Sequence, residues 1–155
     1  MTTASEVADF AERHGLTLAV AESLTGGNLA AALSAAPDSA QWFRGGVVAY
    51  SVLVKQRVLG VPEVPVVSET AALSMARGVR ELTDADVAVA TTGVGGPGPE
   101  DGEPAGSVWC AVATRETAWA VHRGFDGDPE AVLAQSVDCA LALLREGQLR
   151  VAGNP

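Results

Sequence analysis

The stretch Leu16–Ala36, LTLAVAESLTGGNLAAALSAA, decides the fold. Leu16 to Ala21 is a short apolar run, which predicts a buried strand. Glu22 to Gly27 follows as a polar segment ending in two glycines. Asn28 to Ala36, rich in Ala and Leu, predicts a helix that stops near Pro37. Strand, turn and helix in so few residues suit an α/β domain.

The same alternation continues on either side. Ala4 to His14 carries Val7, Ala8, Phe10 and Ala11 on one helical stripe and stops at Gly15. Gly46 to Tyr50 predicts a second strand, and Leu53 to Leu59 a short helix closed by Gly60 and Pro62. Ser68 is a good N-cap for a longer helix through Leu82. Asp86 to Thr91 predicts a third strand, running into a Gly/Pro-dense loop from Gly93 to Pro104. Ser107–Thr114 and Ala118–Phe125 read as a hairpin turning near Arg115 and Glu116. Pro129 suits the first turn of a last helix to about Arg145, leaving a frayed tail from Gly147 to Pro155. The expected fold is a single three-layer α/β/α domain spanning residues 1–155, with its core at about 5–146. Its sheet is expected to be mixed and mostly parallel.

Composition narrows the partners. The chain has 155 residues, 48% of them hydrophobic, enough for one core. Lys plus Arg is 10 against 19 Asp plus Glu, a net charge of −9 that argues against nucleic acid and against a basic membrane-surface helix. No apolar run approaches the roughly 20 residues that span a bilayer. The first ten residues hold Glu6 and Asp9 and no cation, unlike a secretory signal. Cys110 and Cys139 lack a CxxC spacing and read as free thiols of a cytoplasmic protein. His14 and His122 are isolated, so no metal site is expected. The run Glu100-Asp101-Gly102-Glu103 reads as a solvated loop.

Nine of the ten cations are Arg, and Lys55 is the single Lys. A cation that Arg does not replace suggests a group that must lose a proton. Tyr50 stands five residues earlier at a strand end. Ser23-Leu24-Thr25-Gly26-Gly27 stands at another, and Thr92-Gly93-Val94-Gly95-Gly96 at the third. In an open α/β sheet, ligands bind at the carboxyl ends of the strands, so three parallel strands would build one site. A desolvated Lys55 could take a proton from Ser23, the Ser-Lys form of a nucleophile–base pair, with Tyr50 holding the amine or relaying the proton. Backbone N–H groups around Gly26 would receive an oxyanion. Plainer roles stand beside these. Ser23 or Thr25 could simply cap the helix, Lys55 could be solvated, and Tyr50 could pack on the core.

Taken together, AESLTGG (Ala21–Gly27), WFRGGVVAYSVLVKQRVLGV (Trp42–Val61), VSE (Val67–Glu69), TGVGGPGP (Thr92–Pro99) and PAGSVW (Pro104–Trp109) resemble the C-terminal domain of the competence/damage-inducible CinA proteins. That family is also known as nicotinamide-nucleotide amidohydrolase. The resemblance covers about residues 5–146. It implies hydrolysis of the carboxamide of nicotinamide mononucleotide to nicotinate mononucleotide and ammonia, without metal or cofactor. It implies Ser23 as nucleophile, Lys55 as base and Tyr50 in support. Thr25, Gly26, Gly27, Thr92, Gly93, Gly95 and Gly96 would bind substrate. Departures stand out: Val52, Leu53 and Val54 lie where the family often has Asn, Asp or other acidic residues, and Pro129 and Leu133 occupy positions where it often has arginine. Arg44 and Arg123 are the remaining candidates for the phosphate. A nucleotide-binding sensor that does not hydrolyse its ligand is the alternative. The chain looks like the stand-alone form of the domain; Trp42, Phe43 and Trp119 either complete the core or mark a homo-oligomer interface, and a homo-oligomer is the expectation.

Overall fold

A computed structural model describes residues 1–153. The elements run α1 (Ala4–His14), β1 (Leu18–Glu22), α2 (Asn28–Ser34), α3 (Ser39–Trp42), β2 (Phe43–Val48), α4 (Val52–Leu59), α5 (Glu69–Thr83), β3 (Val87–Gly93), β4 (Ser107–Thr114), β5 (Ala118–Gly124) and α6 (Pro129–Val151). The sheet order is β2-β1-β3-β4-β5. β1 pairs in parallel with β2 and β3, whereas β4 is antiparallel to both its neighbours. Four strands therefore point one way, and their carboxyl ends share an edge with the start of β4.

The strands alternate large and small residues. Leu18, Val20, Val87, Val89, Val108 and Val112 face α1, α2 and α6. Ala19, Ala21, Ala88, Ala90, Ala111 and Ala113 face α5, which answers with Ala71, Ala72, Met75, Ala76 and Val79. Side chains alternate faces along a strand, so a Val/Ala alternation builds one thick and one thin layer. Helices thus cover both faces, as a mostly parallel sheet requires. At the amino ends, the Asp86 carboxylate accepts hydrogen bonds from the Thr17 amide (2.9 Å) and hydroxyl (3.0 Å), which fixes the starts of β1 and β3.

Several boundaries differ from the sequence expectation. β1 begins at Leu18 because the Leu16 amide is spent closing α1, on the Ala11 carbonyl. β2 begins at Phe43, which pairs with Leu18; Gly45 and Gly46 hide it, being poor strand formers. The short α3 was not expected at all. α6 continues to Val151 instead of fraying after Arg145. Gly147 seats it on the sheet: an added Cβ would lie 2.6 Å from Val87 and 2.7 Å from Val112. Gln148 is buried and donates to the Val7 carbonyl. The expected fraying at Asn154 and Pro155 lies outside the described residues. Trp42 is buried, and Phe43 and Trp119 are half-buried and pack against the core.

Candidate active site

The strand registers assemble the site. Glu22 pairs with Val48 on one side and Thr91 on the other, and the ladder continues through Ala49 N–H to Glu22 O and Ser23 N–H to Thr91 O. Ser23 therefore stands between Ala49 and Thr92 at the carboxyl edge, on the α5 face. Thr92 pairs with Trp109, and Trp109 with His122, whose ring lies 4.8 Å from the indole. One cross-strand row thus reads Ala49, Ser23, Thr92, Trp109, His122.

Lys55 reaches the same edge from α4. Lys55 and Leu59, one turn apart, are the two buried residues of α4 and share its inward stripe. Lys55 is only 2% exposed, so it is not a solvated helix residue. Its Nζ donates to the Tyr50 carbonyl at 3.1 Å, its one hydrogen bond among the described residues. Burial without a counter-charge pushes the amine below its ordinary pKa. The Tyr50 phenol is 72% exposed. The backbone of Tyr50, and not its ring, holds the amine.

Ser23 is 9% exposed, and its Oγ has no hydrogen-bond partner among the described residues, nor is it sealed from solvent. Neither it nor Thr25 caps α2. That task falls to Glu22, fully buried, whose two carboxylate oxygens accept the Leu29 and Ala30 amides at 2.9 Å each. A carboxylate at a strand end reads as an ordinary surface polar group, and only the missing Ser/Thr cap before Asn28 hinted otherwise. Thr25 instead bonds Thr91, hydroxyl to hydroxyl, at 2.9 Å. Thr92 donates to the Val66 carbonyl at 2.6 Å and is committed to that strut.

Gly26 and Gly27 have φ of 56° and 109°, the left-handed turn that only glycine adopts easily. The Gly26 amide turns back on the Ser23 carbonyl, and that of Asn28 on Thr25. Among the described residues, the Leu24, Thr25 and Gly27 amides donate to no group of the chain. Donors for an anion are therefore available in this turn, but Gly26 is not one of them.

Gly93 ends β3, and Gly95 and Gly96 begin the loop that follows. The neck of this loop is closed by Val94 N–H to Ser107 O and Gly106 N–H to Val94 O. Its tip closes on itself through a Glu100–Glu103 bridge.

Arg44 does not join the site. It follows Phe43 at the start of β2, at the opposite edge, and donates to the Thr83 carbonyl. Arg123 lies at the right edge, but three strand spacings from Ser23, about 14 Å, and on the α6 face. Pro129 serves as the first residue of α6 behind the Asp128 cap, and Leu133 packs on the core. A groove of about 350 Å³ beside Asp86, Arg115 and Arg150 also lies at the opposite edge. Among the described residues no three His, Cys, Asp or Glu side chains converge, and no helix is long and apolar enough to cross a membrane.

The CinA C-terminal domain profile matches residues 1–147. The chain belongs to the CinA C-terminal domain family. A relative in Pseudomonas putida, nicotinamide-nucleotide amidohydrolase PncC, is 40% identical over 146 residues, 90% of this chain and 91% of that one. Protein YdeJ of Escherichia coli is 44% identical over 135 residues, 83% of this chain and 78% of its own. Among solved structures, a CinA superfamily protein from Klebsiella pneumoniae superposes with a TM-score of 0.90 at 42% identity, covering 95% of this chain and 96% of that one. Members of the CinA family thus share this fold along nearly the whole chain.

Proposed function

We propose that the chain is an amidohydrolase that deamidates the carboxamide of a nicotinamide nucleotide, with Ser23 as nucleophile and Lys55 as base. The observation that carries this reading is the buried, uncompensated amine of Lys55 beside a row that holds an unpartnered serine hydroxyl. The similarity to PncC supplies the substrate class.

In this reading, neutral Lys55 leaves the Tyr50 carbonyl and takes the Ser23 proton as Oγ attacks the carboxamide carbon. Catalytic hydrogen bonds absent in a free enzyme commonly form with substrate bound. The oxyanion meets the Leu24, Thr25 or Gly27 amides. Protonated Lys55 gives its proton to the leaving nitrogen, which departs as ammonia, and water then releases the acid. Thr25 and Thr92 act through the struts they hold. The reading places the protein in the cytoplasm, where pyridine nucleotides are turned over, as a single catalytic domain.

Ammonia release from nicotinamide mononucleotide tests it. Ser23→Ala and Lys55→Arg are expected to lose at least about a thousandfold in kcat/KM. An active Lys55→Arg enzyme would remove the base. The missing arginines at Pro129 and Leu133 favour a second reading, a sensor that binds the nucleotide without turnover. Calorimetric binding with no ammonia released would select it.

A further inference from the structure

Two thiols meet on the α6 side of the sheet, away from Ser23. Cys110 lies in β4 and is sealed in the core, 1% exposed. Cys139 packs from α6 against the core cluster that holds Cys110, both thiols are free, and they lie close enough for each to shift the other's ionisation. Cys139 is only half-buried. It forms part of a groove of about 330 Å³ whose other walls are Arg123, Phe125, Gln135, Asp138 and Ala142. One sulfur is thus inside, the other at a mouth, with a guanidinium from β5 beside the outer one.

The charges around the pair favour ionising the outer sulfur. The Cys110 S–H bond to Cys139 and the Arg123 charge lower the Cys139 pKa, while burial and Glu146 oppose them; the result is about 7. Cys110 is pushed well above its ordinary value by the same bond and by burial. The thiolate is the reactive form of cysteine, so the exposed member of the pair is the one that reacts.

We propose that Cys139 is a modification site for small, anionic low-molecular-weight disulfides, with Cys110 as its resolving thiol. The Cys139 thiolate attacks one sulfur of the disulfide RS–SR. A Cys139–S–SR bond forms, the RS–SR bond breaks, and RS⁻ leaves with the electron pair. Cys110 then attacks the Cys139 sulfur and expels the second RS⁻, and its proton passes to that thiolate. The products are an internal Cys110–Cys139 disulfide and two reduced small thiols, so the oxidant is the disulfide itself. Arg123 offers its charge to carboxylates on the incoming disulfide. Asp138 and Glu146, also near the mouth, make additional acidic groups unwelcome. None of this depends on the proposed amidohydrolase activity.

The experiment exposes native wild type, Cys110→Ala, Cys139→Ser and Arg123→Ala proteins to glutathione disulfide, with intact mass and peptide mapping as readouts. Wild type is expected to lose two hydrogens and keep no adduct. Cys110→Ala is expected to retain glutathione on Cys139. Cys139→Ser should react at least about tenfold more slowly, and Arg123→Ala severalfold more slowly. The wild-type rate should rise with pH and level off above about 7. Cys110→Ala leaves a void in the core, so a second arm alkylates native wild type briefly with iodoacetamide and maps the label, which should fall on Cys139 first. Equal or earlier labelling of Cys110, or a Cys139→Ser protein that reacts like wild type, would overturn the site. A mixed disulfide that persists on wild type would overturn the resolving role of Cys110.

Discussion

Lys55 carries an energetic cost that a surface lysine does not. Each unit by which burial depresses its pKa costs the fold about 1.4 kcal/mol wherever both folded and unfolded states are protonated. Between the folded pKa and about 10.4 the unfolded chain binds more protons than the native one, so stability rises with pH across that window; below it the deficit is complete. Lys55→Met keeps the aliphatic stem and removes the charge. It is expected to raise the melting temperature at neutral pH, and this advantage should shrink towards pH 10. Thermal unfolding across that range checks it, and a Met variant less stable than wild type at neutral pH would contradict the stated cost. The proposed base role of Lys55 needs its neutral form, and so predicts kcat/KM climbing with pH along the acid limb. A single Lys among nine Arg made this residue visible in the sequence. Its partner was not visible, because a backbone carbonyl leaves no compositional trace. Arg44 shows the converse: it was a phosphate candidate left once Pro129 and Leu133 stood where the family often has arginine, but a strand carries its two ends to opposite edges.

Among the elements, α2 depends on a residue outside itself. Both oxygens of Glu22 accept amides of its first turn. Gln at that position would turn an NH₂ towards one of those amides, a mismatch worth about 1–3 kcal/mol. Glu22→Gln is therefore expected to lower stability by that amount in denaturant melts. It is also expected to slow turnover, because Ser23 is the next residue and its turn is anchored there. An unchanged melt would show that the carboxylate is dispensable. Most strands and helices were legible from apolar runs and caps, since those follow from local chemistry. Gly147 was misread for a definite reason. Glycine after an apolar helix normally marks its end, yet here the missing side chain admits Val87 and Val112. Sequence does not distinguish a glycine that stops a helix from one that seats it.

At the scale of the molecule, the sheet is asymmetric in what it leaves open. β2 is an edge strand, and Val48, Tyr50, Val52, Leu53 and Val58 are exposed on or beside it. Unpaired edges with apolar neighbours invite association. We propose this margin next to Lys55 as a place for a homo-oligomer contact, in addition to the half-buried Phe43 and Trp119. Under this proposal Leu53→Asp is expected to sediment with a lower mass than the wild-type protein, and a wild type that sediments as a monomer at all concentrations would remove the reading. The reversed direction of β4 has another effect. It returns the chain to the same rim that β3 has just left, so the segment between Val94 and Gly106 hangs from two adjacent points pinned by backbone bonds. Its tip can therefore be exchanged for one of different length or charge without the scaffold registering the change, like a blade clipped into a fixed handle.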